Sequence, residues 1–145
     1  MAKNPASARD DAPVQRSFRL PATTLERLDR RARERGQSAN AVAARLIDEG
    51  LRIEDHPLIY FRDGAAGRRP ALLGTRLDVW QVVETLRAHD SSVEETAAYF
   101  EQPDVKIRAA ISYYADFAEE IDAFAARATA AARREEAAMR RTSVG

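Results

Sequence analysis

The sequence predicts a mainly α-helical protein with two short β elements, one near the N-terminus and one in the middle. Residues 14–21, "VQRSFRLP", alternate apolar and polar side chains, which is typical of a half-buried strand. Several stretches of helical periodicity begin at good capping residues, and some of them end at glycine. Residues 56–80 contain two short apolar runs around a glycine-rich turn, which predicts a β-hairpin.

The composition is that of a soluble, helix-rich protein of 145 residues, enough for one ordinary domain or two very small ones. No run reaches the roughly 18 apolar residues of a membrane span. Residues 1–13 lack the apolar core of a secretory signal, so we expect a disordered leader there. The sequence has no cysteine, which fits a reducing compartment, and we expect a cytoplasmic protein without contact to membranes.

The formal net charge is zero, which argues against a generally basic nucleic-acid binder. The charge is nevertheless unevenly distributed. Residues 1–55 contain 11 Lys/Arg and 9 Asp/Glu, and residues 56–118 contain 7 and 9, whereas residues 119–145 are balanced. The small excess of basic residues therefore lies in the N-terminal segment.

Two helices are predicted to follow the N-terminal strand. Thr23 and Glu26 have the spacing of a capping box at the start of the first helix, and Gly36 is expected to end it. Ser38 is a good N-cap for the second helix, and Gly50 is expected to end its first stretch. The predicted unit is therefore strand, helix, short turn and helix.

This unit, residues 14–55, is too small to bury its own apolar faces, because domains of about 40 residues usually need disulfides, metals or oligomerisation. We therefore predict a two-fold dimer in which the strand pairs antiparallel with its copy. The polar face of such a two-stranded ribbon fits the DNA major groove. The expected dimer core consists of Phe18, Leu20, Leu28, Val42 and Leu46.

The motifs "RSFRLP" in the strand and "GQSAN" between the helices resemble the ribbon-helix-helix family of DNA-binding proteins. The resemblance covers residues 14–52 and implies that the outward strand positions contact base edges. Those positions are Gln15, Ser17 and Arg19. It also implies that backbone N–H groups near Ser38 and Asn40, at the start of the second helix, bind a DNA phosphate.

Arg16 departs from the family pattern, because it occupies an inward position where the family carries an apolar side chain. Either its stem lies over the core at the end of the ribbon, or the strand register is shifted by one near Val14. A further alternative makes the strand an edge strand of the downstream domain, with Arg19 simply solvated.

Residues 56–118 are predicted to form a second small domain. Residues 58–61 and 71–73 are the expected hairpin strands, and Asp63-Gly64 starts their turn. No Gly-Lys-Ser/Thr follows these glycines, which excludes a phosphate-binding loop. Helix starts are expected at Asp78, at either Ser91 or Ser92, and at Pro103.

The last two of these helices and the short turn between them have the shape of a helix-turn-helix. Lys106 and Arg108 are the basic residues near the start of its second helix and mark a possible second DNA-binding surface. Because the segment is acidic overall, the residues themselves favour a structural or partner-binding role.

The stretch "RRPALLGTRLDVW", with "SVEE" and "IRAAISYY" after it, resembles a bacterial domain of unknown function classed as VapB-like antitoxin. The matching residues are Pro70, Leu72, Gly74, Thr75, Arg76, Leu77, Val79, Ser92, Glu95, Arg108, Ala110 and Tyr113. Arg68 stands where a glycine is usual. The resemblance implies a helix-turn-helix fold, winged or plain, often encoded beside a PIN-like ribonuclease toxin. From the residues alone, Gly74 permits a tight bend and Arg76 pairs with a carboxylate such as Asp78.

Residues 119–145 are rich in Ala, Glu and Arg and predict a C-terminal amphipathic helix or tail. In the antitoxins that the chain resembles, this segment wraps the toxin, which implies a toxin-binding role for its apolar residues. Those residues are Ile121, Phe124 and Ala128. The alternative is a solvated helical extension with a frayed end.

An enzyme is not expected, because His56 and His89 are each isolated from other potential ligands and no nucleophile motif is present. No cofactor or metal is expected either. The leading hypothesis is an antitoxin that binds operator DNA as a homodimer or higher even oligomer and neutralises a PIN-like toxin. The alternatives are a stand-alone dimeric repressor and an interaction adaptor whose N-terminal unit only dimerises.

Overall fold

The computed structural model describes residues 12–143 and is mainly helical, as the sequence predicts. The elements in chain order are α1 (Ala22–Arg35), α2 (Ala39–Asp55), β1 (Ile59–Arg62), β2 (Arg69–Leu72), α3 (Val79–Ala88), α4 (Val93–Phe100) and α5 (Asp104–Thr142). The chain forms two compact units that divide between Ala44 and Arg45, inside α2. The predicted leader lies outside the described residues except for residues 12 and 13.

Helix α1 begins one residue before the predicted cap. Pro21 is its N-cap, and the Pro21 carbonyl accepts hydrogen bonds from the backbone N–H groups of Thr24 and Leu25. The predicted capping box of Thr23 and Glu26 is therefore wrong, because the fixed φ of proline, here −56°, already sets the direction in which the chain enters the helix. Gly36 ends α1 in the left-handed conformation, with φ +61°, as predicted.

Helix α2 begins as predicted, because the Ser38 Oγ accepts a hydrogen bond from the backbone N–H of Ala41 at 3.1 Å. The predicted end at Gly50 is wrong, since the helix continues to Asp55. Side chains of the second unit hold the turn that follows Gly50. The unit border consequently lies within α2, rather than at residue 55, where the sequence suggests it.

Strands β1 and β2 form an antiparallel hairpin, which confirms the prediction with bounds shifted by one or two residues. The register runs from the Ile59–Leu72 pair to the Arg62–Arg69 pair. Within residues 12–143 the sheet has these two strands and no third, so an edge strand at residues 14–20 is not part of it.

A tight bend joins β2 to α3. Gly74 adopts φ +76°, a conformation that favours glycine, as predicted. The Thr75 Oγ1 donates to the Leu72 carbonyl at 2.8 Å and accepts from the Leu77 backbone N–H at 3.0 Å. The Tyr60 hydroxyl donates to the Thr75 carbonyl at 2.8 Å, which ties the bend to β1. The Gly-Thr part of the motif is therefore explained by local structure.

Helices α3 and α4 pack on α5, and α5 and α3 also cover the hairpin. The buried core of this unit consists of Ile59, Leu72, Val79, Val82, Val83, Ala97, Ile107, Ala110, Tyr113 and Ile121. Ser92, rather than Ser91, caps α4 by accepting from the Glu95 backbone N–H, and Glu101 ends that helix with φ +53°. Helix α5 is broken at Phe117, where φ is −131° and ψ is 34°. Among the helices of residues 12–143, none combines the length and apolar character needed to cross a membrane.

Candidate functional site

The predicted strand carries no regular secondary structure in the single chain. Residues 12–21 are assigned neither to a helix nor to a strand. The apolar side chains are exposed, with Val14 at 90%, Phe18 at 66% and Leu20 at 45%. The predicted base-contacting residues are exposed as well: Gln15, Ser17 and Arg19. Because the expected partner strand belongs to a second chain, the strand stays a prediction, and so does the role of these residues.

The five predicted dimer-core residues divide into two groups. Val42 is fully buried and Leu28 is half-buried within the single chain. Phe18, Leu20 and Leu46 remain exposed, and Leu46 begins a longer apolar face on α2. That face also includes the exposed Ile47 and Leu51. Exposed large apolar residues at helical spacing mark a surface that another protein surface can cover.

The predicted phosphate site lies at the start of α2. Ser38 and Asn40 are both exposed. The Ser38 Oγ satisfies one of the N-terminal backbone N–H groups, and the positive end of the helix dipole lies at this point. The geometry of this helix end is therefore compatible with an anion, as the resemblance implies.

The carboxylate of Asp78 is the most buried charged group of the second unit. Its side chain is 5% exposed and accepts from Arg62 Nε at Oδ1 and from Arg69 Nε at Oδ2, both at 2.8 Å. The Trp80 Nε1 also donates to Oδ2, at 3.2 Å. Asp78 is the N-cap of α3, as predicted. We call these four residues the Asp78 cluster.

The predicted pairing of Arg76 with Asp78 is wrong. Arg76 is exposed and forms no ion pair with any part of residues 12–143. The hairpin register places Arg62 and Arg69 opposite each other, so both guanidinium groups reach the carboxylate. Arg62 and Arg69, one on each strand of the hairpin, are thus the ion-pair partners of Asp78 instead of Arg76.

A second cluster surrounds Arg52, in the last turn of α2. Its guanidinium donates to both Glu120 carboxylate oxygens, at 2.6 and 2.9 Å, and to the Tyr113 hydroxyl at 2.9 Å. It also lies 4.0 Å from the ring centroid of Phe117, at the break in α5. We call these residues the Arg52 cluster. It fixes the C-terminal half of α2 against both sides of that break.

The pKa directions in the second unit follow these contacts. The hydrogen bond from Arg52 lowers the pKa of Glu120, and the same contact raises the pKa of Arg52. Burial raises the pKa of the Tyr113 hydroxyl. Hydrogen bonding to Asp78 raises the pKa of Arg62. Glu120 is therefore a carboxylate, and Arg52 and Arg62 are guanidinium cations, at neutral pH.

Two further pairs fasten the end of α2. The buried Glu49 accepts two hydrogen bonds from Arg68, at 2.5 and 2.6 Å, in a bidentate pair that raises the pKa of that arginine. His56 is buried, and its Nε2 lies 2.9 Å from Asp116 Oδ2 on α5. These contacts explain why α2 continues past Gly50.

The apolar residues of the tail are used within the chain. Ile121 is 3% exposed and Phe124 is 6% exposed, and the ring of Phe124 packs on Trp80 at a centroid distance of 6.5 Å. Ala128 is half-buried. The assignment of Ile121 and Phe124 as toxin-contacting residues needs correction, because the second unit has already buried both side chains.

The predicted second DNA-binding surface is weak in the structure. Arg108 is exposed, but Lys106 is half-buried and its Nζ donates to Gln102 Oε1 at 3.2 Å. The acidic Asp104 stands in the same first turn of α5. The short turn between α4 and α5 gives the helix-turn-helix connection that the sequence predicts, without a strongly basic face on its second helix.

Within residues 12–143, no group of three or more His, Asp or Glu side chains is arranged to hold a metal ion. His56 is engaged with Asp116, and His89 Nδ1 lies 3.4 Å from Glu95.

Comparisons of the chain with known protein families, with curated proteins and with solved structures found no match.

Proposed function

We propose that this protein is the antitoxin of a type II toxin–antitoxin pair, which binds operator DNA as a dimer and neutralises a PIN-like ribonuclease. In this proposal residues 14–55 form a ribbon-helix-helix unit and the chain acts in the cytoplasm. The ribonuclease chemistry belongs to the partner. The DNA-binding part has support from geometry, and the toxin partner has support from the resemblance alone.

The observation that carries the proposal is the exposure of Val14, Phe18 and Leu20 in the single chain. These residues share one side of an alternating segment, so a single chain leaves the whole apolar side in water. Pairing with the strand of a second copy would supply the missing backbone hydrogen bonds, and the four helices of the two copies would cover the apolar side of the ribbon. The proposal therefore requires at least a homodimer.

The polar side of the same ribbon would then face the DNA. Gln and Arg can make bidentate hydrogen bonds to adenine and guanine, respectively, in the major groove, which a two-stranded ribbon can enter. Gln15 and Arg19 are both exposed, as is Ser17 between them. The start of α2 would hold a phosphate and set the register of the ribbon on the duplex.

Replacing Arg19 with Ala is expected to weaken binding to the DNA upstream of the gene by about 1–3 kcal/mol and to relax the preferred base at one position of each half-site. The reason is that the variant can no longer make bidentate hydrogen bonds to a base edge. Fluorescence anisotropy with the upstream duplex and a set of single-base variants measures both effects.

The matched control is Arg16→Ala, because Arg16 lies three residues away on the opposite side of the alternation. It removes the same charge and should leave the base preference unchanged. Equal base preference in the Arg19 variant and the wild-type protein would contradict a base-contacting role for Arg19.

The toxin-binding part of the proposal now concerns the end of α5. Most side chains beyond Thr129 are exposed, and α5 continues to Thr142. An amphipathic helical segment of this kind can dock in a groove of a partner protein. We define residues 130–142 as the C-terminal segment. It is poor in large apolar residues, and the exposed Met139 is its main apolar contact.

Deleting residues 130–145 should leave DNA binding intact and abolish neutralisation of a co-expressed nuclease encoded beside the gene. The deletion spares Ile121 and Phe124, so the core of the second unit remains. Growth of cells that carry both genes measures neutralisation, and the full-length chain is the control. Full neutralisation by the shortened chain would move the toxin-binding role to residues 45–129.

The alternative is a stand-alone dimeric repressor without a toxin partner. The burial of Ile121 and Phe124 favours it, because the large apolar residues of the tail already serve the chain's own core. In that case the full-length chain would bind its upstream DNA and would leave the growth inhibition caused by the neighbouring nuclease unchanged.

A further inference from the structure

The outward face of α1 carries three arginines that the ribbon and the start of α2 do not use. Arg27, Arg30 and Arg31 lie at positions i, i+3 and i+4 of the helix, so their side chains share one face. Together with Glu34, one turn further on, they line a concavity of about 170 Å³. We call these three residues the arginine face.

The arginine face lies away from the apolar side of α1. At 3.6 residues per turn, Leu25, Leu28 and Ala32 fall on one side of the helix and the arginines fall largely on the other. Ala32 is buried and Leu28 is half-buried, whereas the three arginines are exposed. The arginines therefore contribute nothing evident to the packing of α1.

Internal ion pairs leave most of this positive charge free. Arg31 Nε lies 3.5 Å from Glu34 Oε2, and both side chains are more than half exposed, so the pair is weak. Arg27 and Arg30 have no carboxylate partner within residues 12–143. Glu26 lies four residues before Arg30 but forms no ion pair with it within residues 12–143, and Asp29 lies on a different flank of the helix. Three arginines against the carboxylates of Glu26 and Glu34 leave a local excess of one positive charge on a chain of zero net charge.

We propose that the arginine face binds the sugar-phosphate backbone of DNA, outside the contacts made by the ribbon. The proposal rests on the DNA-binding function proposed above and adds a sequence-independent surface to it. Guanidinium groups present forked donors that match phosphate oxygens, and neighbouring positions on a helix face are about 5–6 Å apart, close to the spacing of successive phosphates. A dimer would carry two such faces and would gain affinity and salt dependence from both.

The test replaces Arg27, Arg30 and Arg31 together with Gln in the full-length chain. Glutamine keeps the helix propensity and nearly the length of the side chain, and the arginines are exposed, so the fold is retained. Affinity for the upstream duplex and for an unrelated duplex should fall by the same factor, on the order of 10- to 100-fold at low salt. The slope of log K against log salt concentration should become shallower by roughly 0.9 for each phosphate that the variant no longer neutralises.

Two control variants distinguish an effect of the arginine face itself from an effect of the lower net charge of the chain. The variant with Arg133, Arg134 and Arg141 changed to Gln loses the same charge on exposed positions of α5 and should keep the wild-type slope. The variant with Lys at the three positions of the arginine face should recover most of the slope. Far-UV circular dichroism and light scattering confirm that helix content and oligomeric state are unchanged.

Each outcome decides the proposal. An unchanged slope in the Gln variant overturns it, and so does an equal effect in the α5 control. Poly-glutamate that binds the wild-type chain more tightly than DNA does at the same charge concentration, and loses this preference in the Gln variant, would assign the face to an acidic protein instead. If the wild-type chain binds every duplex equally and the Gln variant does not, the arginine face stands and operator recognition fails. If the Gln variant binds the operator with wild-type affinity and with the wild-type slope, operator recognition is supported and the arginine face is contradicted.

Discussion

Replacing Asp78 with Ala is expected to lower the free energy of unfolding of the second unit by on the order of 3–5 kcal/mol. The substitution leaves Arg62 and Arg69 without their carboxylate, although their side chains are only 26% and 15% exposed. It also removes the N-cap of α3 and the acceptor of the Trp80 Nε1. Natural domains are stable by about 5–15 kcal/mol, so the decrease is a large fraction of the total.

Urea unfolding measures this effect, followed by the fluorescence of Trp80, which is the only tryptophan of the sequence and a member of the Asp78 cluster. Glu84→Ala is the matched control, because Glu84 is an exposed acid on the same helix. Asp78→Asn, which keeps the shape of the side chain, serves if the Ala variant does not fold. If the Asp78→Ala and Glu84→Ala variants have the same free energy of unfolding, water replaces the Asp78 carboxylate as the partner of Arg62 and Arg69 without loss of stability, and the prediction is wrong.

The elements that the sequence predicts correctly depend on short-range chemistry. Ser38 and Ser92 cap helices through hydrogen bonds to backbone N–H groups three residues away. Gly36 and Gly74 take positive φ values where the chain turns. These features are visible in sequence because the interacting atoms are also neighbours along the chain.

The clusters of the second unit could not be predicted in the same way. Arg52 and Glu120 are 68 residues apart, and the sequence shows only that both are charged. The sequence pattern pairs Asp78 with Arg76, its near neighbour along the chain, whereas in the structure Arg62 and Arg69 bind Asp78. Arg62 and Arg69 become neighbours only once β1 pairs with β2. Polar contacts between distant elements therefore need the fold before they can be identified.

The tail illustrates a different difficulty. The periodicity of Ile121 and Phe124 correctly predicts an apolar side of a helix, but periodicity does not identify what covers that side. The break of α5 at Phe117 has neither proline nor glycine at it, and it lies under the guanidinium of Arg52. The contacts that Phe124 makes with other elements come from Trp80 of α3 and Arg69 of β2, not from a signal in the tail itself.

Replacing Phe18 with Ser is expected to raise the dissociation constant of the proposed dimer by on the order of 10²- to 10⁴-fold. Burial of one phenylalanine side chain contributes about 1.5–3 kcal/mol, and a two-fold ribbon contains two copies. Because Phe18 is 66% exposed in the single chain, the substitution removes little packing from the monomer. Operator binding should fall as the dimer dissociates, since a single chain has no two-stranded ribbon to enter the major groove.

Sedimentation equilibrium over a range of protein concentrations measures the dissociation constant directly. The matched control is Tyr99→Ser, because Tyr99 is an aromatic residue of nearly equal exposure, 65%, in the second unit. A conservative Phe18→Leu variant should keep most of the dimer, because an apolar side chain of similar volume still fills the interface. If the Phe18→Ser and Tyr99→Ser variants dimerise equally well, residues 14–20 do not form the interface. The apolar face of α2 at Leu46, Ile47 and Leu51 would then be the next surface to test by the same measurement.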